Sequence, residues 1–217
     1  MKPTHRSPIS AQRPLRNMVL SATLVASALV AICALQGCVV VAGGAVAGGA
    51  LMLSDRRTSG AQIEDQSIEM KAGTRIKDAI GDRGHINVTS YNRIVLVTGE
   101  VPTEADKTAV VESLRTIENV ANVDDELLVG ASSTMSTRSS DTYITSKVKG
   151  AFVDAKDLQS NAIKVVTERG NVYLMGRVTE REATRATEIA RSTSGVMKVV
   201  RVFEILSEAD LASLQNK

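Results

Sequence analysis

Apolar side chains recur at four-residue intervals in two stretches of the chain: Ile68, Ala72, Ile76 and Ala79, then Ile144, Val148, Phe152 and Ala155. That spacing stacks them along one face of an α-helix. After each stretch the period drops toward that of a strand. Ile86–Ser90 and Ile94–Val101 in the first copy, and Ile163–Thr167 and Val172–Val178 in the second, are β-rich runs separated by Gly-, Asn- or Arg-containing turns, so each pair is predicted to form a hairpin. A stretch of helical character follows, with Thr103 or Thr179 as N-cap and acids in the first turn, where they suit the helix dipole. Alternating strands, Val123–Val129 and Val199–Ile205, close the two copies.

Residues 64–130 and 140–206 are therefore one α-β-β-α-β unit carried twice, each copy about 65 residues and within the range that folds alone. The fold class is α+β. Between the copies, seven of the ten residues Ala131–Ser140 are Ser or Thr, which predicts an interdomain linker at 131–139. The domains are then 62–130 and 140–206, followed by a polar tail, 207–217, in which Leu211 and Leu214 could support a short terminal helix.

Residues 1–37 read as an export signal. Lys2, Arg6, Arg13 and Arg16 precede an apolar run from Met18 to Leu35 with no acid among them. The run ends Leu35-Gln36-Gly37-Cys38, the pattern of a bacterial lipobox, which makes Cys38 the expected lipidation site and acylated terminus. An uncleaved membrane anchor is the alternative reading, since apolar character continues through Leu53. Each buried methylene contributes roughly 0.8 kcal/mol, so two or three acyl chains hold a protein on a bilayer essentially permanently. Val39 rather than Asp follows Cys38, which in the sorting of such lipoproteins favours the outer membrane. Residues 38–61, rich in Gly and Ala and then polar, are expected to be a flexible tether. Gly44 and Gly48 have the spacing of a helix-dimerisation motif, although a small-residue segment at the lipid surface is the simpler reading.

The 217-residue chain has 26 Lys+Arg and 24 Asp+Glu, 2 Cys, 2 His, no Trp and 2% aromatics. Loss of the signal would leave 22 basic against 24 acidic residues and one thiol, unable to form an intramolecular disulfide. With His85 the one imidazole beyond the N-terminal arm, a Cys/His metal cage or a Ser-His or Cys-His nucleophile pair is not expected. His85 itself reads as a surface turn residue, and Asp124-Asp125-Glu126 as a solvated edge rather than a cation site.

The blocks INVTSYNRIVLVTGEV and IKVVTERGNVYLMGRV, each with a helix before it and a Val-x-x-Val strand after it, look like BON domains. With the lipobox and the run DTYITSKVKGAF, the chain resembles the dual-BON outer-membrane lipoproteins. The resemblance implies two small domains, each a three-stranded mixed sheet packed by two helices. It also implies a non-enzymatic protein without cofactor or metal, anchored in the outer membrane and facing the periplasm. Such a protein would bind anionic phospholipid, support envelope integrity and act at division sites. The alternative is a protein-interaction scaffold for outer-membrane assembly or division factors, reached through exposed strand edges. Nucleic acid is not an expected partner.

Charge distribution favours the second copy for lipid contact. Residues 62–130 carry a net charge of −6 and residues 139–206 a net of +3, and only the latter is drawn to an anionic surface. With Ile144, Val148 and Phe152 inward, Lys149, Val153 and Lys156 fall on the opposite face of the helix and Tyr143 and Lys147 on its flank. These five are the expected phospholipid-binding residues, with Met175 and Arg177 at the patch border. Gly176 and its counterpart Gly99 read as structural strand residues.

Overall fold

A computed structural model describes residues Asp55–Gln215, so the signal, Cys38 and residues 39–54 lie outside the described residues. The first domain runs α1 (Ser59–Ile80), β1 (His85–Tyr91), β2 (Ile94–Val101), α2 (Glu104–Arg115) and β3 (Asn122–Val129). The second repeats the order as α3 (Met135–Asp154), a single 3-10 turn (Ser160–Ala162), β4 (Ile163–Glu168), β5 (Asn171–Thr179), α4 (Glu180–Ser192) and β6 (Lys198–Leu206), followed by α5 (Glu208–Gln215). In each sheet the central strand pairs antiparallel with its hairpin partner and parallel with the last strand, which it reaches through the second helix.

Local chemistry accounts for the elements. Thr103 caps α2 by accepting from the Asp106 amide, and Thr179 caps α4 in a full capping box with Glu182. Both hairpins turn on two residues of positive φ, Asn92-Arg93 and Arg169-Gly170, the geometry that matches strand twist. Three of these four residues are not glycine, and one carboxylate per domain holds the turn in place. Asp65 on α1 accepts from the Asn92 and Arg93 amides at 2.7 and 2.8 Å. Asp141 on α3 accepts from those of Arg169 and Gly170 at 2.9 and 2.8 Å. Gly99 and Gly176 are structural: a Cβ at either would run into a carbonyl oxygen of the neighbouring segment, that of His85 or Ala162.

Each domain has its own core. In the first, Ile68 and Ala72 of α1 meet Val95 and Val97 of β2 and Val110 and Leu114 of α2. In the second, Val148 and Phe152 of α3 meet Val172 and Leu174 of β5 and Ala183, Ala186 and Ala190 of α4. A third cluster joins the domains. Tyr91 and Leu96 from one sheet and Tyr173 and Met175 from the other are at most 4% exposed, with Ile94, Val166, Val200 and Val202 packed against them. The sheet faces turned away from the helices thus pack on each other, and β2 and β5 are buried on both sides. Polar pairs ring this cluster: Asn87 to Glu168, Asn92 to Glu204, Lys164 to Glu69 and Arg169 to Glu100.

Two expected boundaries shift. α3 begins at Met135 with Thr134 as its cap, and buried Ser133 donates its amide to Glu100. Half of the Ser/Thr-rich stretch is therefore helix, because hydroxyls outside a core serve as caps or back-bond to the preceding turn, as Ser139 and Ser140 do. The last residues of the expected tether are likewise packed. Arg56 makes a bidentate pair with Glu182 at 2.7 Å and donates to the Arg177 carbonyl. Arg57 pairs with Asp55 and Asp65 and lies 4.1 Å from the Tyr91 ring centroid. This strap, invisible to hydropathy because it is polar, touches both domains.

Candidate functional site

The outward face of α3 is built by the burial of its other face. Asp141, Ile144, Val148 and Phe152 are buried, and a step of about 100° per residue then puts Tyr143 and Val153 on either side of the outward pole. They are 65% and 69% exposed. Exposed Ser146 and Gly150 lie between them, and a Cβ added at Gly150 would meet open space. Lys147 and Lys149 flank the stripe on opposite sides, while Lys156, expected on the outward face of the helix, falls in the turn after α3 ends at Asp154.

These lysines are in different states. Lys149 and Lys156 are exposed, and neither has a hydrogen-bond or ion-pair partner among the described residues. The Lys147 ammonium lies 4.8 Å from the Tyr143 ring centroid and donates to the Ser194 carbonyl. A groove of about 340 Å³ opens beside Val153 and Lys149, lined also by Asp55, Arg57, Tyr91 and Lys164. The described chain therefore enters the folded body at the end of this same face.

The expected border residues do not belong to it. Met175 is fully buried in the interdomain cluster, since strand alternation that sends Leu174 to the helices sends Met175 to the opposing sheet. Arg177 is committed to Glu204 at 3.0 Å and to the Arg56 carbonyl, at the seam between domains rather than on α3. Cys38 lies outside the described residues. His85 begins β1, half-buried, near Asn87 and Glu168. The acidic triplet is split: Asp125 pairs with Lys107, Glu126 accepts from the Tyr173 hydroxyl, and Asp124 accepts from Asn122. Among the described residues no cluster of His, Cys, Asp and Glu could hold a metal ion.

Charge is tuned where carboxylates are buried. Burial works against ionisation of Asp65, but the Ser90 hydroxyl, the Arg93 amide and Arg57 outweigh it and hold the carboxyl below its usual range. Glu100 is lowered in the same way by the Ser133 amide and Arg169, against its burial. Glu168, buried with a single neutral donor in Asn87 and with Glu100 and Asp141 nearby, is raised. These shifts belong to the domain seam and the hairpin turns.

Two BON domains match the chain, at residues 64–131 and 140–207. The chain belongs to the BON-domain family. The outer membrane lipoprotein DolP of Haemophilus influenzae is 40% identical over 175 residues, covering 79% of this chain and 90% of that protein. The 21 kDa hemolysin of Actinobacillus pleuropneumoniae is 31% identical, covering 68% of this chain and 77% of its own length. Osmotically-inducible protein Y of Escherichia coli K12 is 28% identical, covering 64% and 72%. Within the family the chain is an outer-membrane lipoprotein with tandem BON domains, and α3 is the first helix of the second one.

Sequence reading missed the turn-holding carboxylates and the Arg56-Arg57 strap. The first had a signal, since Asp-x-x-Ile occurs at Asp65–Ile68 and again at Asp141–Ile144. The strap had none, because nothing in a polar stretch names partners 121 and 126 residues away.

Proposed function

We propose that the protein is held on the outer membrane by acyl chains at Cys38, faces the periplasm, and binds anionic phospholipid through the second BON domain, without catalysing a reaction. In this reading it supports envelope integrity, including at division sites. The observation that carries it is the α3 stripe: Tyr143 and Val153 project outward between Lys147 and Lys149, and Lys149 is exposed with no hydrogen-bond or ion-pair partner among the described residues. Apolar side chains entering a headgroup layer while ammonium groups meet phosphates is the arrangement an interfacial helix uses. The position of Asp55, the first described residue, in the groove beside Val153 supports the same orientation. Tethering raises the local concentration of lipid, so a weak headgroup contact is enough.

Both cores and the interdomain cluster consist of residues between Asp55 and Gln215, so a chain of residues 54–217 carries the whole described body without the lipidation site. It should float with vesicles containing phosphatidylglycerol, less at high salt, and not with neutral vesicles. Lys149→Glu combined with Val153→Glu should abolish flotation while leaving the circular dichroism spectrum intact. Retained binding would remove α3 from the reading. In cells, Cys38→Ser in the full chain should abolish incorporation of labelled palmitate.

A second reading, a scaffold for envelope or division proteins, draws on the first domain. Ile63 and Met70, 68% and 71% exposed and seven residues apart on α1, form an apolar stripe on the acidic copy. Partner binding that survives the Lys149/Val153 change and is lost on Met70→Glu would favour it.

A further inference from the structure

The most exposed large apolar side chain among the described residues is not on α3. Met197, 81% exposed, stands in the turn between α4 and β6, and the turn is fastened from two sides. Gly195, at φ 96°, lets the backbone approach α3 so closely that a Cβ there would come 3.2 Å from Ile144 Cγ1. The neighbouring Ser194 carbonyl accepts from Lys147. On the hairpin side, the Met197 amide donates to the Gly170 carbonyl at 2.9 Å, and Met197 Sδ occupies space that a side chain at Gly170 would need. A fastened turn that keeps a methionine in water is holding it out for something.

The surroundings indicate what. Arg191 and Lys198 are exposed beside it and have no ion-pair partner among the described residues. With Met197, Val196 and Val199 they line a shallow hollow of about 290 Å³. Tyr143 lies next to Lys147, whose ammonium is already used to bind the turn.

We propose that the Ser194–Met197 turn is a second point of insertion into an anionic phospholipid bilayer, deepening the lipid reading above and resting on it. Met197 enters the boundary of headgroups and acyl chains while Arg191 and Lys198 meet lipid phosphates. Lys147 braces the turn against α3 instead of contacting lipid. The second BON domain then sits on the membrane by two points, the α3 stripe and this turn, which fixes its tilt where one helix would leave it free to roll. A lone unbranched thioether ringed by unpaired cations suits a fluid anionic surface, and a protein partner is the competing outcome.

Residues 54–217 contain no cysteine, so Met197→Cys and Val153→Cys each give a single site for an environment-sensitive nitrobenzoxadiazole label. With phosphatidylglycerol-containing vesicles both labels should shift to the blue and brighten, and high salt should reverse this. Met197→Asp should weaken vesicle binding about tenfold and Met197→Leu should preserve it. A response at 153 with none at 197 overturns the second insertion point and leaves the lipid reading standing. An equal response at 197 with neutral vesicles overturns the role of Arg191 and Lys198. No response at either site, with no flotation, overturns both proposals, and protection of the 197 label by a protein partner alone assigns the turn to that partner.

Discussion

Replacing Asp65 by Asn tests how the first hairpin is held. The carboxylate is 2% exposed and accepts four hydrogen bonds: from Ser90 Oγ at 2.6 Å, the Arg93 amide at 2.8 Å, the Asn92 amide at 2.7 Å and Arg57 Nη1 at 2.7 Å. An amide keeps one oxygen and presents N–H groups where the other accepted two, so two charge-assisted bonds are lost and donors face donors. At about 1.5–3 kcal/mol for a bond to a charged group, the loss is about 3–5 kcal/mol, with Arg57 still paired to Asp55. Asp141 accepts two amides, so Asp141→Asn loses one bond and about 1.5–3 kcal/mol. Urea unfolding of residues 54–217, followed by circular dichroism, measures both. The folded-state pKa of Asp65 lies below its unfolded value, so its contribution is full above the unfolded pKa and lost as pH falls through the folded one. The gap between wild type and Asp65→Asn should therefore close in acid, below about pH 4. A change under about 0.5 kcal/mol at pH 7, or a gap that does not narrow as the pH falls below about 4, would refute the reasoning.

Other substitutions separate backbone from side-chain effects. Gly99→Ala should unfold or severely destabilise the first domain, because φ is 115° and the new Cβ meets the His85 carbonyl, seen as loss of a cooperative melt. Gly150→Ala, in a helix with open space around it, should stabilise the second domain by about 1 kcal/mol, raising the urea midpoint without a change in slope. Arg56→Ala leaves the nearly buried Glu182 without its bidentate partner. It should cost about 2–4 kcal/mol, and hydrogen exchange should quicken in the first turn of α4, far along the chain from the mutation.

The repeat, the α-β-β-α-β order and the helix faces were legible because each rests on neighbours in sequence. Ile68 and Ala72, or Ile144 and Val148, share a face through helical period alone, and Thr103 and Thr179 cap helices with atoms three residues away. The outward placement of Val153 followed from the same arithmetic, whereas Tyr143, read as a flank residue, stands beside the outward pole and Lys156 lies past the end of the helix. Packing between the copies was harder to read. The runs Ile94–Val97 in β2 and Val172–Met175 in β5 are continuously apolar rather than alternating, the mark of strands buried on both faces, yet hydropathy alone does not name the covering partner. Met175 was accordingly placed at a surface it never reaches.

Sequence by itself determined what periodicity, capping and charge can encode: two units, their elements, an acidic and a basic copy, and one helix with an amphipathic outer face. Tertiary structure decided which surfaces remain. The sheets close on each other and remove Tyr91, Leu96, Tyr173 and Met175 from water, Arg56 and Arg57 strap the chain's entry against both domains, and the Lys147 ammonium is engaged by the Ser194 carbonyl. The physical reason is that burial and hydrogen bonding between distant segments depend on where the backbone carries them, and no local pattern records that.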